Sequence, residues 1–335
     1  MPLDVDALSS LGLGTYLGAP SPEADAAYTA SALAFHAAGG NVFDSAANYR
    51  GGRSEFALGR AFTELSREAF FVSTKAGYLP MSDGRTAESP RAWFERELQK
   101  PGVLSPDDVV DGCHAMTPAY LEYQLRHSLD ALGVAAVDLF HLHNPEHQRP
   151  HLGPERFEDA MLRAFEACES FAAKGWIRAY GCATWNGFRV PPSAPEHLSV
   201  ERLLALAGKA GGRSHHFRWI QLPLNLALPE AFLAPTQRYG GEELTALEAA
   251  LAGELAVQTS ASLMQARILR QLPPDFVSAV GAATPAQAAL QFTRSCPGVT
   301  TALAGMGRPE HVAEDTAVLA LPKVDPKVLA SVFGD

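Results

Sequence analysis

The sequence predicts a single-domain (β/α)8 barrel, and three observations lead to this prediction. Short apolar runs that end in polar residues alternate with helix-length segments, which is the pattern of parallel βαβ units. About eight such units follow one another along the chain. No Pro/Gly/Ser-rich linker divides the 335 residues into halves. A closed barrel is therefore favoured over an open doubly wound sheet or two domains.

The individual elements follow from hydrophobic periodicity and from helix-start signals. Predicted strands are residues 11–16, 41–44, 69–75, 137–143, 177–182, 219–222, 255–259 and 299–303. Predicted helices include residues 22–38, 53–65, 118–132, 156–174 and 285–295. Ser21, Thr117 and Thr284 each precede a proline, which places a capping hydroxyl before a proline at the first helical position.

Composition and charge exclude several classes of function. The chain is 47% hydrophobic and 19% charged, and no uninterrupted apolar run reaches the roughly 18 residues of a membrane span. Its N-terminus lacks the basic and apolar regions of a secretory signal, so we expect a cytoplasmic protein. A net charge of −10 argues against nucleic acid or an anionic membrane as partner.

The cysteines predict neither a disulfide framework nor a metal site. The four residues are too few and too scattered for either role, and we interpret them as structural thiols: Cys113, Cys168, Cys182 and Cys296. The sequence as a whole predicts no functional metal.

Two segments are longer than ordinary connections. Residues 77–116 follow the third predicted strand, and residues 223–243 follow the sixth. The carboxyl ends of the strands carry the active site in barrels of this kind. We therefore predict that both segments form lids or walls of a pocket, with surface decoration as the alternative.

Polar side chains with catalytic potential stand at the ends of three neighbouring predicted strands. Asp44 ends the second strand, and Tyr49 follows it in a loop. Lys75 ends the third strand, and a buried lysine requires a counter-ion. The fourth strand ends at His143, and period-2 alternation places His141 on the same interior face. A carboxylate, an ammonium, an imidazole and a phenol are thus predicted to meet at one rim.

These residues lie in segments that together resemble the aldo-keto reductase family. The similarity extends over most of the chain and includes GLGTY at 12–16, FDSAANYRGGRSE at 43–55, STK at 73–75, DLFHLHNP at 138–145, KGWIRAYG at 174–181, IQLPLN at 220–225 and GMGRPEHVAED at 305–315. The resemblance implies a nicotinamide-dependent oxidoreductase that acts on a small aldehyde, ketone or corresponding alcohol. It also implies that Asp44, Tyr49, Lys75 and His143 are the catalytic tetrad.

Elementary chemistry agrees with these roles. Hydride transfer to a carbonyl develops negative charge on oxygen, which a positioned proton donor must meet. We predict that Tyr49 is this donor and that the Lys75 ammonium lowers its pKa by stabilising phenolate. Asp44 would keep Lys75 charged and oriented, and His143 would orient the substrate oxygen.

The resemblance also implies the cofactor contacts, which depart from the family pattern in places. Gln221 matches the amide that binds the nicotinamide carboxamide, and Ala183-Thr184 replaces the usual Ser-Asn pair. Ser260 stands where an aromatic ring is common. Gly305 and His311 occupy two positions that are usually basic. The full set of predicted cofactor residues is Gly14, Thr15, Tyr16, Asp44, Ala183, Thr184, Gln221, Ser260, Gly305, Met306, Gly307, Arg308, His311, Glu314 and Asp315.

NADP(H) or NAD(H) is therefore the predicted cofactor, with weaker discrimination than the family's usual preference for the phosphorylated form. Arg308 is the nearby residue that could compensate for the missing basic groups. Tyr16, Asn48, Tyr78 and Trp185 are predicted to line the substrate pocket.

Three alternatives remain open at this stage. Gly12-x-Gly14-x-x-x-Gly18 resembles a dinucleotide fingerprint loosely, but its spacing does not match the G-x-G-x-x-G of a Rossmann fold. His141 and His143 could be ligands of a metal-dependent barrel hydrolase, with His147 and His151 as extra ligands. A non-catalytic, cofactor-binding regulatory subunit is the third.

Overall fold

The computed structural model describes residues 5–80 and 89–333, and it confirms the predicted barrel. In chain order the strands are β1 (Leu11–Gly14), β2 (Val42–Asp44), β3 (Phe71–Ala76), β4 (Val137–His143), β5 (Ile177–Ala183), β6 (Phe217–Pro223), β7 (Gln237–Tyr239), β8 (Glu242–Leu244), β9 (Ala256–Ser260) and β10 (Val299–Gly305). Eight of them are parallel and close in the order β1-β10-β9-β6-β5-β4-β3-β2, while β7 and β8 form a separate antiparallel hairpin.

Helices follow most of the strands. Their bounds are α1 (Pro22–Ala37), α2 (Arg53–Phe62), α3 (Pro90–Phe94), α4 (Pro118–Leu132), α5 (Arg149–Leu152), α6 (Pro154–Ala173), α7 (Val200–Gly211), α8 (Glu230–Leu233), α9 (Ala246–Ala252), α10 (Pro274–Ala279), α11 (Pro285–Ser295), α12 (Pro309–Thr316) and α13 (Pro326–Ser331). The three predicted hydroxyl caps are present, because Ser21, Thr117 and Thr284 each accept a hydrogen bond from a first-turn backbone N–H.

The barrel interior is layered because alternate residues of each strand face inward. At the amino-terminal end the inward residues form an apolar cluster of Val42, Phe71, Leu139, Ala179, Trp219 and Leu303. Two residues further along β3 and β4 stand Ser73 and His141, and two further again stand Lys75 and His143. The same alternation therefore places a polar layer above the apolar one and brings the reactive groups to the carboxyl ends.

The strand register aligns these layers across neighbouring strands. Asp44 of β2 lies beside Ser73 of β3, and Lys75 of β3 lies beside His141 of β4. The intervening apolar residues of the strands face outward and pack against the helices in the main hydrophobic core. The strands that carry the site are therefore packed on both faces, against the barrel interior on one side and against the helices on the other.

The two long segments differ in whether their residues line the central cavity. Tyr78, in segment 77–116, lines the central cavity, whereas no residue of 224–243 does. That second segment instead packs onto the β5–α7 connection, where Thr236 Oγ1 donates a hydrogen bond of 2.6 Å to Phe188 O and Gln237 Nε2 donates one of 3.1 Å to Leu198 O. These contacts hold the segment against that connection, beside the cavity-lining residues rather than among them.

No helix of the described residues combines the length and apolar character that crossing a membrane requires. All four cysteines are free thiols, of which Cys168, Cys182 and Cys296 are buried.

Candidate active site

A cavity of about 820 Å³ opens at the carboxyl ends of the strands. Most of the sequence-predicted site residues line it: Gly14, Thr15, Tyr16, Asp44, Asn48, Tyr49, Tyr78, His143, Ala183, Thr184, Trp185, Gln221, Ser260, Gly305, His311, Glu314 and Asp315. Lys75 lies behind this surface and is fully buried. The structure therefore brings the four predicted catalytic residues and most predicted cofactor residues to one place.

Asp44 and Lys75 form a buried ion pair beneath the cavity. Lys75 Nζ lies 2.5 Å from Asp44 Oδ2 and donates a second hydrogen bond, of 2.7 Å, to Ser45 O. Burial alone would lower the pKa of Lys75, but the charge of Asp44 and the neighbouring Tyr49 more than offset it and hold that pKa above its ordinary value. The lysine is therefore a permanent cation whose direction is set by two acceptors.

Tyr49 lies against this cation. The Lys75 ammonium is 4.8 Å from the centroid of the Tyr49 ring, and the ring meets that of His143 edge-on at 5.7 Å. Burial raises the pKa of Tyr49 above its ordinary value near 10, and the Lys75 charge opposes this rise without cancelling it. The Lys75 charge acts in the direction expected from the sequence, but the net pKa of Tyr49 is raised because burial is the larger influence. The phenol is consequently protonated at neutral pH.

His143 is held from behind by a second histidine. His114 Nε2 donates a hydrogen bond of 2.7 Å to His143 O, and His114 Nδ1 accepts one of 3.0 Å from Gln148 Nε2. This pairing requires neutral His114, whose pKa is lowered to about 4 by burial. Gly77 permits the close approach, because a Cβ there would meet His114 Nε2 and His143 O at 2.7 Å each.

His143 itself is neutral. Burial, followed by the Lys75 charge, lowers its pKa well below the usual range. Its Nδ1 atom is buried without a hydrogen-bond partner among the residues that the structure describes. A neutral imidazole at this rim can orient a carbonyl oxygen by hydrogen bonding, and it adds no second positive charge beside Lys75.

His141, one layer below, belongs to a network of side-chain amides rather than to a metal site. Its Nε2 atom lies 3.2 Å from Gln258 Oε1, which also accepts a hydrogen bond of 3.0 Å from Gln221 Nε2. Ser73 Oγ donates one of 2.7 Å to Asp44 Oδ1. The group of metal-ligating side chains found in the described ranges does not include His141 or His143.

The loop after β5 is held by a carboxylate that the sequence analysis did not identify. Glu146 Oε1 accepts hydrogen bonds from the backbone N–H groups of Trp185 at 2.6 Å and Asn186 at 3.1 Å. The neighbouring Thr184 Oγ1 donates a hydrogen bond of 3.3 Å to Gln221 O. The loop beside Gln221 is therefore fixed, although the usual Ser-Asn pair is replaced by Ala183-Thr184.

Three predicted cofactor residues do not line the cavity. Met306 is fully buried in the main core, and Gly307 packs near the Tyr28 ring. Arg308 is exposed at the N-terminus of α12. All three lie in the short connection between the end of β10 at Gly305 and the start of α12 at Pro309.

The segment that follows β9 lines the cavity instead, and the sequence analysis assigned it no role beyond Ser260. Its lining residues are Ala261, Ser262, Leu263, Met264, Gln265, Ala266, Arg267 and Leu269. Among the lining residues that the structure describes, Arg267 alone carries an ammonium or guanidinium group. The length of the stretch between β9 and α11 was the signal that could have identified it.

This segment has an unusual backbone. Met264, Gln265 and Ala266 adopt φ values of 45°, 54° and 63°, in the left-handed region that non-glycine residues rarely occupy. Backbone strain of this kind clusters at ligand-binding sites. The strain agrees with a functional role for the turn that presents Arg267.

Comparisons with known proteins agree with this geometry. The family model described as Aldo/keto reductase family matches residues 10–191, more than half of the chain. A Schizosaccharomyces pombe protein, named provisionally as a voltage-gated potassium channel subunit beta, is 25% identical over 87% of this chain and 79% of that protein. D-threo-aldose 1-dehydrogenase of a Pseudomonas species is 30% identical over 43% of this chain and 40% of that protein.

Solved structures share the fold at low sequence identity. An aldo/keto reductase from Klebsiella pneumoniae, in complex with NADP and acetate, superposes with a TM-score of 0.64 at 21% identity, covering 97% of this chain and 90% of that one. The glycerol dehydrogenase of Gluconobacter oxydans superposes with a TM-score of 0.65 at 18% identity and the same coverage. The family model covers more than half of this chain, and the solved structures share its barrel. The chain therefore belongs to the aldo/keto reductase family.

Proposed function

We propose that this protein is a nicotinamide-dependent oxidoreductase that interconverts a small carbonyl compound and its alcohol, with Tyr49 as general acid and base. The observation that carries the proposal is the position of Lys75, bonded to Asp44 at 2.5 Å and 4.8 Å from the Tyr49 ring centroid. Family membership and the NADP-bound neighbours support the cofactor class.

Each side chain then has a defined task. A bound nicotinamide supplies or accepts the hydride. Tyr49 donates its phenolic proton to the oxygen on which negative charge develops, and the Lys75 ammonium stabilises the phenolate that results. Asp44 keeps that ammonium charged, and neutral His143 donates a hydrogen bond to the same substrate oxygen. In the direction of alcohol oxidation, the phenolate of Tyr49 takes the proton back.

The residues of the cavity fit a dinucleotide cofactor. The Gln221 side chain lines the wall beside the fixed loop after β5, as an amide that recognises a carboxamide requires. Arg267 lies in the strained turn after β9 and forms no ion pair with any carboxylate in the described ranges. We assign it to a phosphate of the cofactor, since guanidinium groups bind phosphate bidentately.

Discrimination between NADP(H) and NAD(H) is proposed to be weak. Glu314 and Asp315 line the cavity together with His311 and Gly305, whereas Arg308 is exposed and is not among the lining residues. Burial, followed by the Glu314 charge, raises the pKa of Asp315 to about 7. Carboxyl groups in either protonation state can accept hydrogen bonds from ribose hydroxyls, and they offer no cation to a 2′-phosphate. Arg267 is the remaining cation among the cavity-lining residues that the structure describes.

The cavity mouth favours substrates with an aromatic or extended apolar body. The Tyr16 ring is 61% exposed and Trp185 is 46% exposed, although both line the cavity. Exposed aromatic rings at a pocket entrance gain stability when an apolar ligand covers them. We therefore expect aromatic aldehydes to be better substrates than open-chain sugars of similar size.

None of the three alternatives from the sequence is supported by the family or the fold, and the closed barrel differs from the open sheet of a Rossmann fold. A metal-dependent hydrolase would use His141, which is bonded to Gln258 inside the barrel. A non-catalytic subunit would show no turnover. The experiment that tests the proposal is steady-state oxidation of NADH and NADPH with a panel of aromatic and sugar aldehydes, followed by the reverse reaction with the alcohols. Absence of turnover with every pair at saturating cofactor would contradict it.

A further inference from the structure

A second cluster of polar side chains lies outside the cavity, where segment 77–116 meets the connection between β4 and α6. It consists of Asp111, His147 and His151, and one ligand atom of each lies within 4.8 Å of the other two. His147 Nε2 and Asp111 Oδ2 are 3.4 Å apart. None of the three residues lines the central cavity.

Local structure explains why the two histidines face the same side. They are four residues apart across the 3-10 turn Pro145–Gln148 and the helix α5. Residues at this spacing are neighbours on a helix surface, as in helical motifs that present two histidine ligands to zinc. Their rings are stacked with centroids 5.8 Å apart.

Asp111 reaches this pair from a tight turn in segment 77–116. Val110 pairs with His114 in an isolated antiparallel bridge, and the turn between them contains Asp111 at φ 51° and Gly112 at φ 66°. The bridge fixes both ends of the turn. The carboxylate is therefore presented by a constrained backbone rather than by a free loop.

One buried nitrogen of the His147 ring has no hydrogen-bond partner among the described residues. This atom is Nε2, and the Asp111 carboxylate is near it but is not aligned for a hydrogen bond. The ring is held between neighbours, 5.6 Å from the His114 ring and 5.9 Å from that of Tyr78. An unpaired buried nitrogen costs free energy that coordination of a cation would recover.

We propose that Asp111, His147 and His151 bind a divalent transition metal of the zinc class. Zn²⁺ bonds imidazole nitrogen and carboxylate oxygen at about 2.0–2.2 Å, so ligand atoms in a tetrahedral set lie roughly 3.4 Å apart. The spacing of His147 and Asp111 already matches this value. Two imidazoles favour zinc, nickel or copper over magnesium and calcium, which prefer oxygen ligands.

The site leaves room for a further ligand from solvent. Asp111 is 60% exposed and His147 28% exposed, so one side of the cluster faces water. Three protein ligands with an open position form a reversible site rather than a closed structural one. The metal takes no part in the reaction at Tyr49.

Metal binding would join two elements that flank the active site. Asp111 belongs to the segment that carries Tyr78, whereas His147 lies four residues after His143 on the other element. The Tyr78 ring contacts the His143 ring edge-on at 5.1 Å. A bound ion therefore restricts relative movement of these elements and makes the tetrad side of the cavity more rigid.

The test is a calorimetric titration of Zn²⁺ into metal-free protein that carries no affinity tag. Wild type is compared with His151→Ala and Asp111→Asn, which alter ligands at exposed positions, and with His127→Ala, which alters an exposed histidine on α4. We expect one equivalent to bind wild type and the His127 variant alike. Each ligand variant should lose at least tenfold in affinity.

Two measurements cover variants that fail to fold. Co²⁺ bound to wild-type protein should show the visible absorption of a tetrahedral site with nitrogen and oxygen ligands. Crystals grown with Zn²⁺ should show anomalous scattering between the three side chains. The proposal is overturned if wild type binds no stoichiometric Zn²⁺ below about 10 μM, if the folded ligand variants bind as tightly as wild type, or if the anomalous signal lies elsewhere.

Discussion

The Gln221 side-chain amide donates a hydrogen bond of 3.1 Å to Asp44 Oδ1 across the interior of the barrel, from β6 to β2. Ser73 donates to the same oxygen at 2.7 Å, and the other carboxylate oxygen receives the Lys75 ammonium. Neutral donors thus satisfy one oxygen while the cation holds the second. This division fixes the carboxylate, and through it the direction in which Lys75 faces Tyr49.

Replacing Lys75 with Met should reduce both activity and stability. The variant leaves Asp44 as an uncompensated buried carboxylate, which typically costs about 3–5 kcal/mol of unfolding free energy. Urea denaturation checks this. Arg91→Met breaks the exposed pair with Glu95 and should change stability by less than about 1 kcal/mol.

A double variant separates the charge effect from the packing effect. Lys75→Met combined with Asp44→Asn removes the stranded charge while leaving Gln221 and Ser73 an oxygen to bond. It should regain much of the stability but none of the activity. A single Lys75→Met variant as stable as wild type would contradict the assignment of a buried ion pair.

The pH profile of reduction should be broad. The pKa of Tyr49 is raised above its ordinary value near 10, so the donor stays protonated up to and beyond that pH. The pKa of His143 is lowered well below 6.5, so this residue stays neutral as the pH falls through its ordinary range. We expect kcat/KM for a neutral aldehyde to be level between about pH 6.5 and 10. A fall in kcat/KM with an apparent pKa near 7–8 would indicate that a group other than Tyr49 donates the proton.

Stability should depend on the protonation of His114. Its folded-state pKa is about 4, below the ordinary 6.5, so the unfolded chain takes up a proton first as the pH falls between these values. This histidine therefore destabilises the fold progressively below pH 6.5, by up to about 3 kcal/mol near pH 4. Measured against His114→Gln, wild-type unfolding free energy should fall over this range. A constant difference between the two proteins would show that His114 stays exposed to solvent.

Arg267→Ala should weaken cofactor binding by roughly tenfold to a hundredfold, the effect of losing a charge-assisted hydrogen bond of about 1.5–3 kcal/mol. Fluorescence titrations with NADP and NAD measure this. An equal loss for both cofactors assigns Arg267 to the pyrophosphate, whereas a loss for NADP alone assigns it to the 2′-phosphate. Arg270→Ala, an exposed residue outside the cavity lining, is the matched control.

Arg308→Ala belongs in the same series because the sequence places that residue in the cofactor site. We expect it to change both dissociation constants by less than threefold. A large loss in this variant, with Arg267→Ala unchanged, would reverse the assignment. Wild type that prefers NADP by more than a thousandfold would contradict the proposed weak discrimination.

The sequence predicts those features that regular periodicity determines. Alternation along β3 and β4 places Lys75 and His143 at the rim, and the neighbouring strand brings Asp44 beside them, so the barrel and these three positions follow from periodicity. The position of Tyr49 in a loop does not, and its role is implied by the family resemblance. The position of Arg267 at the cavity cannot be predicted from periodicity. Its approach to the cavity depends on left-handed backbone at Met264–Ala266, residue types for which such a conformation has no sequence signal.

Side-chain contacts with distant partners are likewise hidden in the sequence. The segment 223–243 is long enough to cover a pocket, but Thr236 and Gln237 bond to the backbone of the β5–α7 connection and hold it aside. Glu146 accepts a hydrogen bond from the backbone N–H of Trp185, in the loop after β5. Every residue except proline has such an N–H group, so the sequence does not indicate this contact. Such partners become visible only when both elements are placed in space.

The most direct test of the account is Tyr49→Phe. The change deletes the proton donor and leaves the ring that contacts His143 and Lys75, so kcat for aldehyde reduction should fall by roughly 10²–10⁴-fold. Dissociation constants for both cofactors should stay within about twofold of wild type. Tyr239→Phe, on the remote hairpin strand β7, should retain full activity. A Tyr49→Phe enzyme that keeps wild-type kcat, or that loses activity and cofactor affinity in equal measure, would contradict the role of Tyr49 as general acid.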